Sequence, residues 1–168
     1  MPSSVVLITG ALTGIGRAAA VSFAKAGNRV VVSGRKPDAG EALVRELRSL
    51  GAEAEFVQAD VRKEDDVRRL VDRTVERFGR LDIAVNNAGT EGKPGPITEQ
   101  TAESYSATFD TNVLGVILSM NTKYAPCKDR AAVALSTSPR PTGTRVRRGP
   151  PSMSAANTPS KVSQSPWR

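Results

Sequence analysis

Thr9-Gly10-Ala11-Leu12-Thr13-Gly14-Ile15-Gly16 lies between two apolar stretches of different period. Before it runs Val5-Val6-Leu7-Ile8, a short continuous apolar segment that suits a buried strand. After it, from Arg17 to Ala26, apolar residues recur at helical spacing. Each glycine has a separate task in a turn from strand to helix. Gly10 allows the sharp reversal, Gly14 removes a side chain where phosphate oxygens must approach, and Gly16 lets helix and sheet pack closely. The helix start then presents free N–H groups and the positive end of its dipole. Strand, glycine turn and helix in that order is the setting in which such a motif binds a dinucleotide pyrophosphate, whereas glycines without that setting read simply as turn residues.

The alternation continues outward from this turn. Val30-Val31-Val32 reads as a second buried strand, introduced by Gly27-Asn28. A helix is expected from Ala39 to Leu50 with Ala42, Leu43, Leu47 and Leu50 inward, followed by Gly51. Ala54 to Val57 is a third strand. Glu64 to Phe78 is a charged helix with Val67, Leu70, Val71 and Val75 inward, closed by Gly79. Ile83 to Val85 is a fourth strand, and helices are expected from about Thr98 and from about Asp110 to Met120. Continuous apolar strands alternating with helices predict an α/β fold: a doubly wound parallel sheet in the order 3-2-1-4.

The 168 residues suit one domain with a real core. The single Cys127 excludes a disulfide framework, and the absence of histidine excludes a histidine-based metal site or triad. The start, Met-Pro-Ser-Ser before a short apolar run, reads as neither a signal peptide nor a membrane span, so a cytoplasmic location is expected. The net charge of +7 is unevenly placed. Residues 1–120 carry 15 Lys/Arg and 16 Asp/Glu, whereas 121–168 carry nine Lys/Arg, one acid and seven of the 11 prolines. Two stretches of different style therefore meet near Met120.

Four further sites bear on the dinucleotide reading. The second strand ends in Ser33-Gly34-Arg35-Lys36, where an NAD site usually places an acid for the ribose 2′-hydroxyl. Gly34 stands there instead, and Arg35 suits bidentate contact with a 2′-phosphate. By themselves these residues also suit a solvated basic turn. Asp60, after the third strand, reads on its own as a cap or turn residue, and Asn112 as a packing or surface residue. The tetrapeptide Asn86-Asn87-Ala88-Gly89 follows the fourth strand.

Thr9 to Gly16 together with Asn86-Asn87-Ala88-Gly89 resembles the classical short-chain dehydrogenase/reductase family over residues 4–120. The resemblance implies a Rossmann-type fold and a cofactor site formed by Thr9, Gly10, Thr13, Gly14, Ile15, Gly16, Arg35, Asp60, Val61, Asn87, Ala88 and Gly89. Within it, Asp60 receives the adenine amino group and the Val61 N–H meets the ring. The asparagines brace neighbouring strands, and Asn112 matches the tetrad asparagine that holds a water in a proton relay. Arg35 without an acid at Gly34 points to NADP rather than NAD.

The family next supplies a strand ending in a catalytic serine, then a Tyr-x-x-x-Lys pair whose tyrosine is the general acid/base. In this chain the last tyrosine is Tyr124. Tyr124-Ala125-Pro126-Cys127-Lys128 has the spacing, but it contains a proline and has no strand before it, so it is not read as the catalytic pair. A shifted reading frame accounts for the remainder. Codons compatible with Pro150 to Asn157, read one base out of step, give Ser-Val-Tyr-Val-Gly-Ser-Lys. Those for Ala132 to Pro139 give Gly-Ser-Ile-Val-Asn-Val-Ser-Ser, and one base restored just after Met120 joins the frames. Residues 1–120 are accordingly read as the dinucleotide-binding part. Residues 121–168 are read as a frameshifted, basic, Pro/Ser-rich tail, expected to be disordered. The truncated sheet would then have about four strands, with the fourth left as an exposed apolar edge.

Two functional classes follow. One is an NADP-dependent oxidoreductase by family, in which this chain is an inactive, truncated copy. The other is a non-catalytic binding protein, gripping NADP(H) through the half-domain or polyanions through the basic tail. The tail lacks interleaved aromatics, so no specific nucleic-acid partner is expected. No membrane partner is expected either, and the helices of the family oligomer are read as missing.

Overall fold

Val5–Thr9 forms β1, and every residue of it is buried. Its continuous apolar sequence follows from its place. In a computed structural model that describes residues 3–124, 132–135 and 144–146, β1 is flanked on both sides by parallel strands. On one side lies β2 (Arg29–Gly34), with Leu7 level with Val31; on the other lies β4 (Ile83–Asn86), with Leu7 level with Ala84. β3 (Ala54–Gln58) pairs parallel with the outer side of β2. The order β3-β2-β1-β4 is the one the alternation predicts.

Successive side chains of a strand point to opposite faces, and the core divides accordingly. Val6, Ile8, Val30 and Val32 pack with Ala20, Ala24, Leu43, Val44 and Leu47 from α1 (Gly14–Lys25) and α2 (Pro37–Ser49). Val5, Leu7 and Val31 pack with Leu70, Val71 and Phe78 from α3 (Glu64–Phe78) on the other face. Each fully buried aliphatic side chain contributes about 1.5–3 kcal/mol. Helices therefore cover both faces and leave the carboxyl ends of the strands as the natural place for a ligand.

The inward faces differ in detail from the periodic reading. On α2 they are Gly40, Leu43, Val44 and Leu47, while Ala42 and Leu50 are exposed. Pro37 starts this helix two residues early, and a Cβ at Gly40 would lie 2.3 Å from the Phe56 ring on β3. On α3 Thr74 is buried and Val75 only half so, because the Thr74 hydroxyl donates to the Leu70 carbonyl and needs no other partner. Gly79 ends α3 at φ +74°, with its N–H donating to Val75 O at 2.7 Å.

Beyond β4 the chain makes a single 3-10 turn at Ile97–Glu99, and α4 (Ala102–Phe109) begins after Thr101 rather than near Thr98. Thr101 and Ser104 satisfy each other's backbone N–H in a capping box. A π turn, Asp110–Leu114, joins α4 to α5 (Gly115–Tyr124), so the two expected helices are one irregular helix. The sheet then continues. β5 (Ala132–Leu135) pairs parallel with β4, and β6 (Thr144–Val146) pairs antiparallel with β5. β4 is therefore not an exposed edge, contrary to the sequence expectation. Ala132-Val133-Ala134-Leu135 is an apolar run, and an unpaired apolar strand edge accepts such a run whatever its origin. Of the stretch after Met120 the structure describes only 121–124 in α5, 132–135 as β5 and 144–146 as β6; the expectation of disorder otherwise lies outside the described residues, as does Lys128. Among the described residues no helix is long and apolar enough to cross a membrane.

Candidate cofactor site

The turn between β1 and α1 gives each glycine a distinct environment. A Cβ on Gly10 would lie 2.7 Å from the Ala88 Cα, so this residue is a glycine because the loop after β4 presses against it. A Cβ on Gly16 would lie 2.4 Å from the Asn87 amide nitrogen and 2.5 Å from the Gly10 carbonyl. Gly14 differs from both. At φ +55° a Cβ would meet nothing within 4 Å, so here the left-handed backbone rather than a neighbour calls for glycine, and the space beside it is open. Thr13, Gly14 and Ile15 are all exposed around that opening. Thr13 caps α1 without a side-chain hydrogen bond, and the first turn holds no acid. An open, uncapped, acid-free helix start fits an anionic group such as a pyrophosphate.

The loop after β4 is held from below. Thr9 is buried, and its hydroxyl donates to Val85 O at 3.4 Å and accepts from the N–H groups of Asn87 and Ala88 at 3.1 and 3.3 Å. The Asn87 amide donates to the carbonyls of Thr9 and Gly10 at 3.2 and 3.0 Å. Thr9 and Asn87 thus lock the two turns together, with Ala88 and Gly89 following. Asn112 lies in the π turn. Its side chain accepts from Thr90 N–H and donates to Thr90 O, both at 2.8 Å, fixing the helix irregularity to the loop beyond Gly89.

At the carboxyl ends of β2 and β3 a cavity of about 400 Å³ is lined by Arg35, Gln58, Ala59, Asp60, Lys63, Asp66 and Arg69. Gly34 precedes Arg35 in the chain, and a Cβ there would lie 2.6 Å from Leu12. The Asp60 carboxylate accepts from the Arg62 N–H and from its guanidinium, with contacts from 2.5 to 3.1 Å. Those bonds hold the Asp60 carboxyl below the usual carboxylate range, and the charge of Arg35 acts in the same direction. The Asp60 N–H donates to the Asp66 carboxylate at 2.9 Å and holds Asp66 low as well, aided by Arg69 at 2.8 Å and the charge of Lys63. Both acids are ionised and already partnered. A larger concavity of about 530 Å³, between α3 and α5, is walled by helix surface where Arg68 is paired with Glu64 and Asp65.

The structure thus gathers Thr9 to Gly16 with Asn87, Ala88 and Gly89, and gathers Arg35 with Asp60. Val61, next to Asp60, is buried, and a Cβ on Gly115 would lie 2.7 Å from its methyl group. Sequence reasoning passed over Leu12, Arg62 and Lys63. For the last two, the run Asp60-Val61-Arg62-Lys63 at a strand end was the available signal. Among the described residues no cluster of His, Cys, Asp or Glu could hold a metal ion.

Comparison with known proteins agrees with this geometry. Residues 4–133 match the family model described as short chain dehydrogenase. An L-fucose dehydrogenase from Oryctolagus cuniculus is 43% identical over 111 residues, which cover 66% of this chain and 38% of that one. A short chain dehydrogenase/reductase from Burkholderia phymatum, crystallised with NAD, superimposes with a TM-score of 0.76 at 32% identity, covering 79% of this chain and 48% of that one. A variant of actinorhodin polyketide ketoreductase crystallised with NADPH gives 0.70 at 37% identity, covering 73% and 46%. The chain spans about half the length, or less, of the curated relatives it matches.

Proposed function

We propose, for a chain that belongs to the short-chain dehydrogenase/reductase family, that its dinucleotide site takes NADP(H) in preference to NAD(H). The nicotinamide supplies the family chemistry when bound, exchanging a hydride with an alcohol or ketone. The residues of this chain bind and orient. The N–H groups opening α1 receive the pyrophosphate beside Gly14, and Thr9 with Asn87 holds the facing loop in place. Val61, behind Asp60, serves the adenine end. Arg35 meets the 2′-phosphate, and the protein carries on as a cytoplasmic binder of the cofactor.

The observation behind the preference is the edge of the cavity at β2. Gly34 offers no carboxylate to a ribose 2′-hydroxyl, and Leu12 fills the space an acid's Cβ would need. Arg35 lines the cavity and has no ion pair among the described residues. A charge-assisted contact of this kind contributes about 1.5–3 kcal/mol. Calorimetric titration should show Arg35→Ala weakening NADP(H) by more than tenfold while NAD(H) is nearly unchanged. Equal losses for both cofactors remove the assignment. We further propose that the 168-residue chain binds without turnover, since Tyr124 ends α5 ahead of β5, whereas the family resemblance implies a serine-bearing strand ahead of the catalytic tyrosine.

A further inference from the structure

We propose that Lys63 is the second cation of the 2′-phosphate subsite, lining the same cavity as Arg35 and setting affinity for a 2′-phosphorylated adenosine. The proposal rests on the NADP(H) reading above and adds a specificity-determining residue to it.

The cavity's charges decide the matter. Two acids and three cations line it: Asp60 and Asp66, with Arg35, Lys63 and Arg69. Asp60 is held by Arg62, and Asp66 by Arg69 together with the Asp60 N–H. With the acids so matched, the charges left over are those of Arg35 and Lys63, neither of which has an ion pair within 4.0 Å among the described residues. A phosphate monoester carries about −1.5 to −2 charges at neutral pH. One arginine leaves that charge partly uncompensated, whereas an arginine and a lysine match it.

The position of Lys63 gives an independent reason. It is the N-cap of α3, and its side chain makes no cap hydrogen bond. Ser, Thr, Asp or Asn is favoured there, because a side-chain oxygen satisfies a free backbone N–H. A cation sits at the wrong end of the helix dipole. Lys63 is exposed, so it gives nothing to the core in return. Its charge does act on Asp66 in the first turn, but a serine at this cap would satisfy a backbone N–H that the lysine leaves open, and would offer an anion no charge.

The two roles separate by sign. Lys63→Ser should raise or preserve the melting temperature of the chain, because serine caps α3. The same change should weaken binding of NADP+ and of 2′,5′-ADP by about tenfold. The loss should be confined to the phosphorylated member of each pair, NADP+ against NAD+ and 2′,5′-ADP against 5′-AMP. Lys63→Arg should keep most of the affinity, and the salt dependence of NADP+ binding should become shallower in Lys63→Ser. A wild-type chain that prefers NADP+, loses the preference in Arg35→Ala and keeps it in Lys63→Ser overturns this proposal and leaves the parent reading standing. A wild-type chain without preference overturns both. Equal losses for NADP+ and NAD+ in Lys63→Ser also overturn it, showing that the residue shapes the turn rather than the phosphate contact.

Discussion

Gly14 and Gly16 are two residues apart and are glycines for opposite reasons. Gly16 is confined by its own protein, with Asn87 and the Gly10 carbonyl inside the distance a Cβ tolerates; Gly14 faces open space. Alanine at each position should therefore separate folding from binding. Gly16→Ala forces backbone or the Asn87 amide to move, and overpacking of this kind costs about 1–3 kcal/mol. Thermal unfolding should register that loss. Gly14→Ala meets no neighbour and bears only the cost of a left-handed backbone, about 1–2 kcal/mol. Its larger effect should appear in calorimetry, as a methyl group placed where phosphate oxygens would lie. If Gly14→Ala binds NADP(H) as tightly as the parent chain, the open space beside α1 is not the pyrophosphate site.

At the scale of elements, the irregular helix from Ala102 to Tyr124 is tied to the β4 loop by Asn112. Asn112→Ala leaves both the N–H and the carbonyl of Thr90 without these partners, and an unmet group of this kind costs about 1–3 kcal/mol. Asn112→Asp keeps the acceptor and loses the donor. Hydrogen exchange at Thr90 should therefore be fast in the alanine variant and close to the parent in the aspartate variant; equal exchange in all three would mean the clamp holds nothing. Elements of this kind mark the limit of what the sequence makes legible. β1 to β4, α3 and the glycine turns follow from local apolar runs and from residues with one conformational use. The π turn and the Asn112–Thr90 clamp depend on a partner 22 residues away, which periodicity does not reveal. The same holds for Leu12 over Gly34 and Phe56 against Gly40, each of which is a contact between segments that look ordinary alone. β5 was missed for another reason: its apolar run was assigned to out-of-frame translation, and pairing to β4 asks only for a short apolar strand.

At the scale of the whole molecule, two stretches of different composition meet near Met120. Residues 1–120 carry the nearly balanced charge of a folded domain, and 121–168 carry nine cations against one acid. Binding groups position a nicotinamide, but hydride exchange with an alcohol or ketone also moves a proton. A tuned acid/base at that step is worth about 10²–10⁴-fold, and loss of substrate orientation removes more. The 168-residue chain should therefore bind NADP(H) and show no alcohol- or ketone-linked change in its nicotinamide absorbance, with Tyr124→Phe indistinguishable from the parent. Restoring one adenine after the Met120 codon, with the following coding DNA included, should bring a serine and a Tyr-x-x-x-Lys into frame together. Turnover should appear in that product and vanish when its recovered tyrosine becomes phenylalanine. Robust turnover by the 168-residue chain, lost in Tyr124→Phe, would place the catalytic pair at Tyr124 and Lys128 and overturn the shifted-frame reading of everything after Met120.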